Sequence, residues 1–401
     1  MAMTLGRCGM TTHGNLRWSA VAADAAERSH ITMADVSRRF HDIDAVAPQW
    51  DELADEVGAA PFLRPGWIQA WTSAFDARGL TVYTVWRDGG LVALVPLLVR
   101  RRNVTSPANV HTPFWGLLAR DDIAVVTLVR SILNDRPTSV TFENLDVESP
   151  SSIRCMDLLE EYGFQRVVDQ RMRSPFTDVA VSSELFQSRL GKNRRKTLRK
   201  QHRRLAEKGA LTLDVRDGST DLQSLLAEGY RVEASGWKGR QHSAITSQRA
   251  TREFYTSVAQ WAAERDWLRL AYLRLDDRAI AFDFLVRAGG ALYDLKGGFD
   301  DDLRSHSPSK VLFHHILTDA IGDVTRSFEW LGHEEPYKLE WSDGVRDRVS
   351  VTWFAPSFGG RSKRRAHLFR RALVGQIRTR LPDHIEARAK TIKNRASELL
   401  A

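Results

Sequence analysis

Residues 80–97 read LTVYTVWRDGGLVALVPL and residues 268–285 read LRLAYLRLDDRAIAFDFL. Set one above the other at a constant offset of 188 positions, the strings need no gap. They share Leu80 with Leu268, Asp88 with Asp276, Ala93 with Ala281 and Leu97 with Leu285. Each is an apolar run, a polar turn (Asp88-Gly89-Gly90 or Asp276-Asp277-Arg278) and a second apolar run, which is the pattern of a β-hairpin. One hairpin written twice predicts two related domains. Only the second copy continues into a third strand (Ala291 to Lys296), then Gly297-Gly298-Phe299-Asp300, then an apolar-periodic helix opened by Ser307-Pro308-Ser309. A helix N-terminus reached through a Gly- and Ser-containing loop is a natural anion site, so the chemistry is expected in the second half.

The remaining sequence supports an α/β reading. With 401 residues, 43% hydrophobic and twelve Trp, the chain has material for two globular cores. Residues 34–175 alternate helix, helix, hairpin, helix, strand, helix and strand, and are expected to form the first domain. Residues 176–360 form the second, led by a strongly basic helix over 184–208 that ends at Gly209. Residues 1–33 mix charged and small residues without an apolar run, and read as an unstructured leader rather than a signal peptide or anchor. Cys8 and Cys155 are the only cysteines, so no disulfide framework is expected and a reducing compartment fits best.

The net charge of +8 is unevenly placed. Residues 189–208 carry ten basic and one acidic residue, and residues 361–401 carry twelve and three, so the rest of the chain is acidic. In 361–401, Leu368, Phe369, Ala372, Leu373 and Ile377 form an apolar stripe beside several arginines, as in a basic amphipathic helix. That segment could dock on the protein or lie on an anionic membrane. The helix near Lys192 could be a solvated face, a phosphate-binding wall or a nucleic-acid contact, although aromatic interleaving is absent. Adjacent His314 and His315 point to different sides of a helix and no zinc-type spacing accompanies them, so no metal is expected.

At the second-half loop, Ser307 suits an N-cap and Pro308 the first helical position. Backbone N–H groups there, hydroxyls of Ser305, Ser307 and Ser309, and the charge of Arg304 or Lys310 could hold phosphate. The alternative is a capped helix with no ligand.

Several separated motifs occur in one order: Glu233-Ala-Ser-Gly236-Trp237-Lys238-Gly239, Phe254-Tyr255, Asp276 through Phe282, Lys296-Gly297-Gly298-Phe299-Asp300, Ser307-Pro308, and Tyr337-Lys338 with Trp341. The first half adds Trp50-Asp-Glu-Leu53, Pro61-Phe62, Trp67, Trp71, Pro96-Leu97 and Phe114-Trp115-Gly116. Over roughly residues 35–355 this pattern resembles the GNAT acyltransferase superfamily, in its two-domain bacterial branch associated with cellulose and exopolysaccharide synthesis. The resemblance implies two tandem GNAT-like domains, each a mixed, mostly antiparallel sheet flanked by helices, to which the residues of 361–401 add a basic helical tail. It also implies acyl-CoA, foremost acetyl-CoA, as co-substrate, held by Lys296, Gly297, Gly298, Ser305, Ser307, Ser309 and Lys310. The acceptor would be an amine or hydroxyl on a sugar, glycolipid or envelope precursor, met by Trp237, Lys238, Lys338, Phe114 and Trp115 in a cytoplasmic enzyme.

Acyl transfer needs a base for the acceptor and a proton donor for the departing thiolate. Asp283 interrupts the apolar run Ala281-Phe282-Asp283-Phe284 and by alternation shares a face with Ala281 and Leu285; if desolvated its pKa would rise, as suits a base, and the alternative is an exposed-face residue or one paired with a neighbouring Arg. Glu233 is a second candidate base, with a structural salt bridge as the alternative, and Tyr337 is the candidate thiolate protonator. Two rivals remain open: a Fem-type transferase using aminoacyl-tRNA, and a non-catalytic membrane- or nucleic-acid-binding module.

Overall fold

Both hairpins are present in the computed structural model, which describes residues 35–378, with side chains to position 374. The first half runs β1 (Val36–Phe40), α1 (Ala47–Glu56), α2 (Pro65–Ala74), the hairpin β2 (Leu80–Arg87) and β3 (Gly90–Arg100), then β4 (Asn103–Thr105) and β5 (Leu118–Ala119). It continues through α3 (Asp122–Leu133), β6 (Ser139–Asp146), α4 (Pro150–Glu161) and β7 (Gln165–Asp178). The second half opens with α5 (Ser183–Arg189), α6 (Lys192–Ala206), β8 (Leu211–Arg216), α7 (Leu222–Ala234), α8 (Trp237–Arg240) and α9 (Arg249–Glu264). Its hairpin is β9 (Leu268–Leu275) and β10 (Arg278–Ala288), followed by β11 (Ala291–Phe299), α10 (Pro308–Ala320), β12 (Ser327–Glu329), α11 (Pro336–Leu339), β13 (Gly344–Phe354) and α12 (Phe358–Arg378). The leader 1–33 and the end of the basic tail, 379–401, lie outside the described residues.

The two hairpins agree residue for residue at the offset seen in the sequence. Val85 faces Ala93 and Leu273 faces Ala281, and each hairpin bulges at the same place, Val92 in one and Ile280 in the other. Both turns hold two residues at positive φ, Asp88 and Gly89 in the first, Asp276 and Asp277 in the second. That geometry matches the right-handed twist of the flanking strands, and Gly or Asp adopts it at least cost. The first copy also has a third strand, expected of the second alone: β4 pairs in parallel with β6 (Thr105 to Thr141) as β11 does with β12 (Tyr293 to Glu329). Mixed and mostly antiparallel, the sheet has the α/β architecture expected.

All thirteen strands belong to one sheet, in the order β1-β2-β3-β4-β6-β13-β7-β12-β11-β10-β9-β8, with β5 beside β3. The last strand of each half is exchanged. β13 pairs with β6 of the first half and β7 with β12 of the second, and the two join along their length from Gly344–Phe176 to Phe354–Gln165. A boundary at 175/176 therefore falls inside β7. Val349, Val351 and Trp353 of β13 bury into the first-half core with α3 and α4. On the opposite face one core runs through both halves beneath α1, α2, α7 and α9. There Gly66 of α2 lies against Trp261 of α9, where a Cβ would come within 2.0 Å of the indole nitrogen. A third core packs α6 and α10 on the second hairpin.

Two local expectations are corrected. The basic stretch 184–208 is two helices, because Gly191 at φ 63° breaks the chain between α5 and α6. Gly297 and Gly298 are not loop residues but continue β11, where each admits a close neighbour.

Candidate active site

Where β11 and β12 part, the sheet opens. Their pairing ends at Tyr293 and Glu329, yet β11 runs on to Phe299, and the gap widens into a cavity of about 770 Å³. Its walls bring together residues far apart in sequence: Asp283 of β10, Glu233 of α7, Tyr337 and Lys338 of α11, and Lys296, Gly297 and Gly298 of β11. Trp237 and Lys238 of α8 line it, as do Ser307, Ser309 and Lys310 at the start of α10.

Asp283 is 2% exposed and on the face shared by Ala281 and Leu285, which enter the α10 core. Its cross-strand partner is Gly297, whose missing side chain leaves room for the carboxylate. Gly298 similarly admits the backbone of Glu233, to which a Cβ would come within 2.6 Å. A bulge between Phe284 and Leu285 sets Asp294 opposite Leu285, so that this second buried carboxylate shares the Asp283 face. Asp283 Oδ2 and Asp294 Oδ1 have no hydrogen-bond partner among the described residues. Buried polar atoms without a partner are uncommon, and two on one cavity face single this pair out.

Burial drives the Asp283 carboxyl well above the usual range, reinforced by Asp294 and opposed by Lys238. Burial also pushes Asp294 up to about 6, with Lys338 and Lys238 holding it down. The Tyr337 phenol is raised by burial and by the neighbouring acids, Asp294 first, so it keeps its proton at neutral pH. Its ring stacks on Phe313, centroids 6.3 Å apart.

The lysines are fixed in place. Lys238 Nζ donates to the Gly297 carbonyl at 2.5 Å and lies 3.3 Å from Glu233 Oε1, while Glu233 Oε2 accepts from the Ile245 N–H at 3.0 Å. Lys338 Nζ donates to the Leu331 carbonyl at 2.9 Å and pairs with Glu335 at 3.0 Å. Lys296 lies over the Tyr255 ring, and Lys310 pairs with Glu340 at 2.7 Å.

Three expectations from sequence fail in detail. Ser305 does not line the cavity; its hydroxyl bonds His306 at 2.9 Å. Phe114 and Trp115 are core residues: Phe114 packs edge-on to Phe62 on one face of the sheet, and Trp115 packs at a tilt against Phe142 in the first-half core. The preceding residues Val110 to Pro113 reach the cavity instead. Ser307 occupies the N-cap position but in the left-handed region, φ 52°, and its side chain makes no cap bond. Sequence reading also missed Asp294 and His111; the latter is buried, with Nε2 3.3 Å from the Thr251 hydroxyl.

Residues 192–339 match the acetyltransferase (GNAT) domain family. That stretch takes in Glu233, Lys238, Asp283, Asp294, Tyr337 and Lys338. Among solved structures, the C-terminal domain of a putative lysylphosphatidylglycerol synthetase from Agrobacterium fabrum is similar over 82% of this chain and 97% of that one, at 13% identity and a TM-score of 0.52. FemX is similar over 79% of this chain and 97% of that one, at 11% identity and a TM-score of 0.53. A tandem GNAT protein from the clavulanic acid biosynthesis pathway covers 80% and 98%, at 11% identity and a TM-score of 0.42. At such identities the likeness to the first two is one of fold alone. No curated protein matches the sequence. The matched stretch thus sits in a chain whose fold extends beyond it on both sides, into the first-half hairpin and β13.

Proposed function

We propose that this protein is a GNAT-type acyltransferase moving an acyl group, foremost acetyl, from acyl-CoA to an amine or hydroxyl of a sugar, glycolipid or other cell-envelope or polysaccharide precursor in the cytoplasm. The observation carrying this reading is the pair of buried carboxyls, Asp283 and Asp294, in a cavity that also holds the N-terminus of α10. An acyl donor fits the residues present. Backbone N–H groups in the first turn of α10, the Ser307 and Ser309 hydroxyls and the charges of Arg304 and Lys310 would hold its phosphates. Acyl-CoA, when bound, supplies an activated carbonyl carbon and a sulfur leaving group.

The rest falls to the chain. The Asp283/Asp294 pair accepts the proton of the acceptor's nitrogen or oxygen, because a carboxyl with its pKa near 6 is ionised at neutral pH yet basic enough to work. Lys238 and Lys338 keep that member ionised. Tyr337 holds the proton that the departing sulfur needs. Glu233, engaged by Ile245 and Lys238, acts as a positioning residue that holds Lys238 against Gly297. Trp237, half-exposed at the cavity wall, lies on the acceptor's route.

The test is release of free thiol from acetyl-CoA in the presence of amino sugars and hydroxyl acceptors. Asp294→Asn and Asp283→Asn should each slow release about 100-fold or more, and Tyr337→Phe less. Full activity in both Asn variants would refute the assignment. A second reading, an aminoacyl-tRNA donor, draws on the packing of basic α6 against α10. Transfer from charged tRNA without thioester turnover would establish it instead.

A further inference from the structure

Helix α12 is amphipathic in the wrong sense for a helix docked on its own protein. Its polar side faces the body: Lys363 Nζ donates to Asn103 and to the Thr138 hydroxyl, the latter at 2.6 Å. His367 Nε2 meets Asp169 Oδ1 at 2.5 Å, and Arg371 donates to the Val168 carbonyl at 2.7 Å. Its apolar side faces outward, with Phe358 81% exposed, Phe369 73% and Leu373 48%. At 100° per residue these three fall on one stripe, next to exposed Arg361 and Arg365. A stripe of large apolar side chains left in water beside docked polar ones marks an interaction surface.

We infer that this face seats the protein on a bilayer bearing anionic head groups. Charge selects the occupant: residues 361–371 contain no Asp or Glu, and of their six Lys or Arg, Lys363 and Arg371 are engaged by the body while Arg361 and Arg365 border the apolar stripe. A second copy of the same face would set those charges against each other, whereas anionic lipid neutralises them while its acyl boundary takes Phe358, Phe369 and Leu373. The helix lies in the interface and does not cross it, since no helix among the described residues is long and apolar enough to span a membrane. The surface is distinct from the cavity and stands whichever acyl donor the cavity takes.

Cosedimentation of the full chain with phosphatidylcholine vesicles, with and without phosphatidylglycerol, tests this. Binding is expected only with phosphatidylglycerol, reduced by high salt. It should fall about tenfold or more in Phe369→Asp/Leu373→Asp and several-fold in Arg361→Glu/Arg365→Glu. Melting temperature and vesicle-free turnover should be unchanged in all. The inference is overturned by absence of binding to anionic vesicles, by equal binding to both vesicle types, by binding indifferent to both pairs of substitutions, or by a concentration-dependent dimer that Phe369→Asp/Leu373→Asp dissolves.

Discussion

Across β10 and β11, Asp283 faces Gly297, and a Cβ at position 297 would lie 1.6 Å from Asp283 Oδ1. The carboxylate therefore occupies the space of a side chain that is missing. In Gly297→Ala the movable partner is the end of Asp283, so the fold should survive at a cost of about 1–2 kcal/mol while the carboxyl is displaced. In Gly298→Ala the obstacle is the α7 backbone at Glu233, which cannot swing aside, so the stability loss should be larger. Thermal denaturation beside thiol release separates the two: activity lost with the fold kept for Gly297→Ala, both impaired for Gly298→Ala.

Asp294 makes stability and activity respond to pH in opposite ways. Its carboxyl is raised from 3.8 to about 6 by burial, so between those values the folded chain binds more protons than the unfolded one. Stability therefore falls as pH rises through that window, and the penalty is complete above about 6, with an upper bound of about 3 kcal/mol. Asp294→Asn should melt higher than the parent at pH 8 and no higher below pH 4. The parent's kcat/KM should instead rise with pH, with an apparent inflection near 6 that belongs to the coupled pair. A rate that is flat across this range would remove Asp294 from the proton transfer.

Lys238 links the two effects. It lowers both Asp283 and Asp294, pairs with buried Glu233 and caps the Gly297 carbonyl. Lys238→Met should cost about 3 kcal/mol by leaving Glu233 buried and unpaired, and should move the acid limb of the rate profile to higher pH. Chemical denaturation and a pH–rate series read the two separately. An unmoved limb would show that Lys238 is structural only.

The sequence made the hairpins legible because their turns need residues that tolerate positive φ, and Asp88-Gly89 and Asp276-Asp277 supply them. Asp283 stood out because a carboxylate breaks an apolar run. Asp294 did not, since strict alternation from Gly297 puts it on the other face, and the bulge at Leu295 that turns it toward Asp283 has no local sequence pattern. Phe114 and Trp115 looked like a substrate wall. Bonds from Trp115 N–H to Asn144 O at 2.9 Å and from Asp146 N–H to Trp115 O at 2.8 Å instead lay this stretch along β6 and bury the ring. The exchange of β7 and β13 was beyond local pattern, because which strand lies beside which is decided by contacts across nearly two hundred residues.

The duplication also explains its own asymmetry. At the repeat's offset, Val95 stands where the second half has Asp283, and it is fully buried in an apolar core. β4 stops at Thr105, whereas β11 continues to Phe299 and forms a cavity wall. The first half keeps the hairpin and the parallel pair but neither the buried acid nor the diverging strand.

Titration calorimetry of acetyl-CoA into the full chain and into Ser309→Glu tests the central claim most directly. Ser309 lines the cavity in the first turn of α10, and a carboxylate there would repel phosphate. Binding is expected with a stoichiometry near one, weakened about tenfold or more by the substitution. No interaction with acetyl-CoA or longer acyl-CoA donors, or equal affinity in Ser309→Glu, would contradict it.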